Sequence, residues 1–385
     1  MKDRYLTLVL TLVVAVALLP GALAGQSSNE WTPPQTPWGD PDLQGIWNNT
    51  VSTPLERPSR FTDKQYLSAE ELAAYTTEQQ GARDNRDDRG AAPGTTTGRG
   101  DAASQESSSE SSTTDVARAY GALWFPVPEA PIRRTSLISD PPDGRIPDLT
   151  PQAWARAEAR ANAIGATGST ASPFTGGFSR GRSEELVDGT EGGVDGRGGR
   201  ADNPEDRDSD DRCIMNSLPR MPGGYNNHFQ IVQSPDHVVI EIEMQHHARV
   251  IPIDGRPHLD DRVRQWMGDS RGHWEGNTLV IETINFTEKG NFKGSGQHLH
   301  LVERFTPTDG NTIDYEVRLE DATTWTRPWT VQFPLRRLNA MVGEIDEVSV
   351  PQMFEFACHE GNYGLLNILA GARKLEMNAA QASKQ

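Results

Sequence analysis

No histidine precedes His228 in this 385-residue chain. Cysteine is equally scarce, with Cys213 and Cys358 the only two. Basic residues are outnumbered, 37 Lys and Arg against 54 Asp and Glu, for a net charge of −17. Past residue 24 no apolar run approaches the ~20 residues of a membrane-spanning helix. These shortages exclude partners. Nucleic-acid binding rests on neutralising phosphates, so an acidic chain is not expected to bind nucleic acid. An anionic membrane surface is disfavoured for the same reason. A mature chain without a long apolar run has no stable membrane span.

The N-terminus reads as a cleaved secretory signal over 1–24. Lys2 and Arg4 form a basic start, Tyr5 to Leu19 is uncharged and apolar, and Ala22-Leu23-Ala24 fits a small-x-small cleavage site. The expected location is therefore periplasmic or secreted. An exported chain meets an oxidising compartment, where two cysteines suggest a Cys213–Cys358 disulfide. Segments 81–115 and 165–212 are rich in Gly, Ser, Asp and Arg and poor in large apolar residues. Such composition cannot offset the entropy of ordering, and both are expected to be disordered inserts.

Between the inserts the chain carries local signals. An N-terminal extension over 25–80 holds a strand at Leu43–Trp47 and a short helix entered by the capping box Ser68-x-x-Glu71. Residues 116–164 read as a hairpin-like element turning at Pro142-Asp143-Gly144, then a helix with Thr150 as N-cap and Pro151 at its first position. From 213 to 376 short alternating runs recur with turns between them, such as Val238–Met244, Thr278–Thr283 and Thr312–Glu320. No alternating strand–helix pattern appears. The expectation is a mainly β fold, an antiparallel lipocalin-like barrel or sandwich with a few short helices. A helix is read from Tyr363, with a frayed tail over 377–385.

Gly45-x-Trp47 resembles the opening strand of lipocalin-type barrels. Four longer segments resemble a family of secreted bacterial proteins of unassigned function: PDLQGIW with TPLERP, SLISDPPDGRIPDLTPQAW, GDSRGHWEGNTLVIETINF with HLHLVERF, and FACHEGNYGLLNILAGAR. The resemblance covers most of the chain outside the inserts and implies an exported protein with a β core. It carries no catalytic assignment. The family pattern His-Asp-x-Arg is replaced here by His246-His247-Ala248-Arg249. A mechanism built on an acid at position 247 therefore loses its ground.

Six of the nine histidines fall between Met244 and Phe305. On a strand, residues i and i+2 share a face, so His298 and His300 are expected to project together. With a third ligand from His273, His359 or Glu360 they would form a metal site. The competing reading is a hydrogen-bonding pair, and no cofactor is expected. Gly268–Gly276 reads as a loop in which Asp269, His273 and Glu275 offer acid–base groups and Arg271 a carboxylate clamp. The catalytic candidates are His246, Asp269, His273, His298, His300 and His359. The binding candidates are Tyr225, Asn226, Arg249, Arg271, Trp274 and Glu303. Together they suggest one polar pocket in a small-molecule enzyme of hydrolase or lyase type. Two alternatives stay open: a non-catalytic module for a lipid, glycan or aromatic ligand, and a structural envelope protein.

Overall fold

A computed structural model of the chain describes residues 31–91, 131–163, 203–207, 209–215, 218–223, 226–289, 292–338 and 353–382. The signal-like segment, Tyr225 and most of both inserts lie outside the described residues. The chain divides at Thr32/Pro33, and the unit described below begins at Pro33.

The elements in order are β1 (Gly45–Asn48), α1 (Ala69–Ala91), β2 (Ile138–Asp140), α2 (Pro151–Ala163), β3 (His228–Gln233), β4 (His237–Ile242) and β5 (His247–Pro252). They continue with β6 (Asp269–Glu275), β7 (Thr278–Ile284), β8 (His300–Asp309), β9 (Thr312–Glu320), β10 (Trp329–Arg337) and α3 (Tyr363–Ala382). Nine strands form one sheet in the order β5-β4-β3-β1-β10-β9-β8-β7-β6, and β2 adds to β10. The sheet curls into a nearly closed antiparallel barrel, as the alternation predicts. Its two edges, β5 and β6, face each other across a seam. There Arg249 reaches Ser270, and a side chain at Gly272 would meet Ile251 and Ile253.

Every ladder along this path is antiparallel. Nine strands in a ring cannot all alternate, so β5 and β6 run in the same direction. Parallel neighbours cannot be joined by a tight turn and need a crossover. Residues 253–268 are that crossover, and they run along the outside of the barrel. Gln265 bridges Phe286 in parallel, and Asn285 Nδ2 donates to Leu259 O.

Strict alternation fills the interior. Phe229, Ile231, Ile240, Ile251, Leu279, Ile281, Leu301, Phe305, Val317 and Phe333 all point inward and are buried. Trp47, Trp325 and Trp329 are core residues at 0–2 % exposure, so Trp325 and Trp329 present no stacking surface. Burying each large side chain contributes about 1.5–3 kcal/mol. Leu218 and Arg220 enter one end and line the small space that remains. Cys213 and Cys358 are bonded, with Cα atoms 5.6 Å apart. No helix of the described residues is long and apolar enough to cross a membrane.

Local signals held where chemistry was specific. Ser68 and Glu71 bond reciprocally at the start of α1, and Thr150 caps α2. Three readings need correction. Residues 269–275 are a strand, β6, not a loop. Ser270 and Gly272 are small on its inner face, and its outer face is charged, so no apolar alternation marks it. The residues around Pro142-Asp143-Gly144 turn as expected, but no return strand follows, because β2 pairs with β10 instead. Finally, α1 continues past Gly81 to Ala91 and α3 past Met377 to Ala382. A helix satisfies its own backbone bonds and extends without a core.

Gly272 sits where the seam is tightest, with Ile253 Cγ2 2.8 Å and Ile251 Cγ2 3.1 Å from an added Cβ. Gly272→Val is expected to lower stability by about 1–3 kcal/mol, read as a fall in urea midpoint with unchanged m-value.

Candidate functional site

The polar residues singled out by sequence do not share one pocket. Strand parity divides them between the two faces of the sheet. On β8, Glu303 points inward with Leu301 and Phe305, whereas His300 points outward with Val302.

Inside the barrel, Arg249 forms a bidentate pair with Glu303, at 3.0 and 2.6 Å. The same guanidinium reaches Ser270 at 3.1 Å and Thr283 at 3.2 Å. The Tyr315 hydroxyl donates to Glu303 at 3.0 Å, and burial, then the Glu303 charge, push that hydroxyl's pKa well up. Arg249 thus ties β5 to β6, β7 and β8 across the seam. The adjoining cavity measures about 10 Å³. That is room for roughly one water molecule, far below the several hundred Å³ of a small-molecule pocket. Arg249 and Glu303 are therefore a closed interior pair, not the walls of a ligand pocket.

Outside, Asp269 anchors a second network under the crossover. Its carboxylate accepts from Arg271 at 2.6 Å, from the Leu259 N–H at 2.9 Å, and pairs with His258 Nδ1 at 2.9 Å. His258 Nε2 lies 3.3 Å from Glu282, whose other oxygen is 2.8 Å from His300 Nε2. Burial works to raise the Asp269 carboxyl, but the Leu259 N–H, His258 and Arg271 outweigh it and hold the carboxyl below its ordinary value. Burial likewise opposes the Glu282 shift, and His300 and His258 bring that carboxyl down. Asp269 and His300 are linked only through His258 and Glu282, which sequence reasoning passed over. Arg271 is committed to Asp269, Ser270 O and Pro257 O, so it clamps the crossover and not a substrate.

The remaining candidates lie apart. His273 is exposed and pairs with Glu275 at 3.2 Å. His298 is exposed in a turn ahead of β8, so it does not share a strand face with His300. His359 is exposed in the turn before α3, and Trp274 packs against the core. Among the described residues no group of three or more His, Cys, Asp or Glu side chains is placed to hold a metal.

A third cluster lies at the end of the barrel where β3 begins and β4 ends. Glu243 accepts from His228 Nδ1 at 2.7 Å, from the His228 N–H, and from the Phe354 N–H at 3.3 Å. The Glu243 side chain is 2 % exposed and that of His228 15 %. Burial works to raise the Glu243 carboxyl; the His228 hydrogen bond and charge, then the two backbone N–H groups, hold it below its ordinary value. An ionised Glu243 makes Nδ1 the donor, which leaves Nε2 as the ring nitrogen directed away from the pair. Nε2 has no hydrogen bond among the described residues and is not a buried orphan, so it meets solvent.

This end also concentrates backbone strain. Cys213, Asn226, Gln245 and His246 all adopt positive φ, from 50° to 60°. Such conformations cluster at functional sites because surrounding structure must enforce them. His246 pairs with Glu241 at 3.1 Å, and burial lowers the pKa of neighbouring His247. Gln245 donates to Asp210, beside the disulfide. The predicted Asn226 and His246 thus sit in one neighbourhood with Cys213, while His228 and Glu243 were missed. Their signal was the parity of the Val238–Met244 strand, which turns Glu243 outward toward its neighbour strand.

The class defined by this geometry is a nearly closed antiparallel β-barrel with a filled interior, carrying carboxylate–imidazole pairs on its outer face. Compared with known proteins, the chain matches no family model and no curated protein.

Two consequences are measurable. Glu303→Gln leaves the Arg249 charge buried without a counterion and is expected to cost about 3–5 kcal/mol in chemical denaturation. Asp269 and Glu282 have depressed carboxyls, so their stabilisation is full above the unfolded value near ~4 and is lost as pH falls through the folded ones. Asp269→Asn should therefore lower Tm clearly at pH 7, and the gap from the native protein should close below about pH 4. A gap that stayed constant well below that pH would contradict this.

Proposed function

We propose that this is an exported enzyme of hydrolase or lyase type that acts on a small molecule by proton transfer at His228, with Glu243 as its orienting carboxylate. The observation that carries the reading is the 2.7 Å contact between His228 Nδ1 and a Glu243 that is 2 % exposed, with Nε2 open to solvent. A buried carboxylate fixes the imidazole tautomer and steadies the positive charge that forms when Nε2 accepts a proton. The His300–Glu282 pair is a weaker version, because Glu282 is 47 % exposed and shared between two imidazoles. Its role in this reading is to hold the crossover.

Export is supported by the signal-like start, by the disulfide, and by the resemblance to secreted bacterial proteins. The acidic balance supports a small molecule over nucleic acid as partner. A second reading, a structural envelope protein, is favoured by the filled interior and by the closed Arg249 and Asp269 networks. A lumen carrier has no such support, given a cavity of about 10 Å³.

The oxidised protein should be assayed on ester, phosphoester, glycoside and β-elimination substrates. The enzyme reading expects turnover in one class, reduced about 100-fold or more in His228→Gln at unchanged Tm. Glu243→Gln should shift the pH–rate profile. Absence of turnover in all four classes, or full activity in His228→Gln, would hand the case to the structural reading.

A further inference from the structure

Outside the barrel, α1 has two apolar faces, and one of them is packed. Tyr75 is buried and meets the Phe61 ring edge-on at 5.6 Å, which closes that side of the helix. Ala69, Leu72, Ala73 and Thr76 fall at i, i+3, i+4 and i+7, so they share a neighbouring face. The Thr76 hydroxyl donates back to the Leu72 carbonyl at 2.8 Å, so that oxygen is spent within the helix. Ala69 and Ala73 are exposed, and Leu72 and Thr76 are half-buried. This second stripe is uncharged and open.

The stripe lines a groove of about 540 Å³, together with the exposed side chain of Arg133. That volume falls among small-molecule sites, roughly 300–1,000 Å³. Arg133 is held at its base. The Leu67 N–H donates to the Arg133 carbonyl at 2.8 Å, and Arg133 Nε donates to the Leu67 carbonyl at 3.3 Å. Its two Nη groups have no acceptor among the described residues. The acids of the first helical turn serve other partners: Glu70 accepts from the Ser68 hydroxyl, and Glu71 from Lys64 and the Ser68 N–H. A positioned cation without a carboxylate therefore stands beside an apolar wall.

We propose that this groove binds a free medium-chain fatty acid, with its carboxylate on Arg133 and its alkyl chain along the α1 stripe. The match is in charge, polarity and length. The two Nη groups of a guanidinium fit the two oxygens of a carboxylate. The helix rises roughly 10 Å from Ala69 to Thr76, enough to cover most of a medium alkyl chain. Each methylene taken out of water favours the complex, so affinity follows chain length. A bilayer fits the same groove poorly. The chain has a net charge of −17, and one arginine beside an uncharged stripe is not the basic cluster that anionic lipid surfaces attract. The groove shares no residue with the His228–Glu243 pair, so it adds a ligand to the protein and no step to the reaction.

The test titrates the full oxidised protein with monomeric octanoate and follows the Leu72 methyl resonances. Saturable shifts are expected, with an affinity about tenfold or more above that of neutral 1-octanol. Butyrate, with the same head and a shorter chain, should bind about tenfold or more weakly than octanoate. Arg133→Gln should bring octanoate and octanol to near parity. Ala73→Glu places a like charge on an exposed position of the stripe and should abolish octanoate binding at unchanged Tm. No saturable binding of octanoate would overturn the site. Binding that survives unchanged in both variants would place the ligand elsewhere and overturn it too. Equal affinity for octanoate and octanol in the native protein would overturn the role of Arg133. Adsorption to anionic phosphatidylglycerol vesicles without uptake of monomeric octanoate would assign the groove to a membrane surface and overturn the fatty-acid reading.

Discussion

An odd number of strands governs this molecule. Antiparallel pairing is a two-colour rule, and a ring of nine cannot obey it everywhere. One junction has to be parallel, and here it falls between β5 and β6. Parallel neighbours need a long connection, so residues 253–268 travel the outside of the barrel where a hairpin would have needed only a tight turn. The seam has no backbone ladder between named strands, and side chains do that work. Arg249 crosses it from within, and Asp269 pins the crossover from without. Two of the three polar clusters are thus consequences of strand parity.

That division explains why titratable density misleads. A strand of alternating residues delivers half of its polar groups to each face, and the sheet then isolates them. Glu303 and His300 are three residues apart and serve different sides of a sealed wall. The interior pair is held by Ser270, Thr283 and Tyr315, with Arg249 Nε left without an acceptor, and the crossover network by Arg271 and two imidazoles. The His228–Glu243 pair differs in its exposure. Its carboxylate is buried while its imidazole reaches the surface.

Much of the fold was legible because the strands are amphipathic at period two. Val238–Met244 and Thr312–Glu320 announce both their existence and their facing. The capping box at Ser68 and the Thr150-Pro151 start are local chemistry that tertiary context did not override. The β6 strand was illegible because it has small residues inside and charges outside, so neither face carries the usual contrast. The site was less legible still. His228 and Glu243 are 15 residues apart in sequence and meet only through register. Register depends on which strands become neighbours. Nothing in the sequence of β1 says that β3 lies on one side of it and β10 on the other.

The pairing of β1 with β10 also sets an order of events. Trp47 lies opposite Arg337, so the contact that completes the sheet spans most of the chain. Contacts of such separation form slowly, after their loop-closure entropy has been met. A chain emerging from its N-terminus can assemble β3 to β5 and β6 to β9 as local meanders and add β1 to β3, but the β1–β10 pairing must wait for the last strand. The bond from Cys213 to Cys358 comes later again, since its second cysteine follows β10. Until then the Trp47 side of the sheet is an open apolar edge, of the sort that chaperones cover.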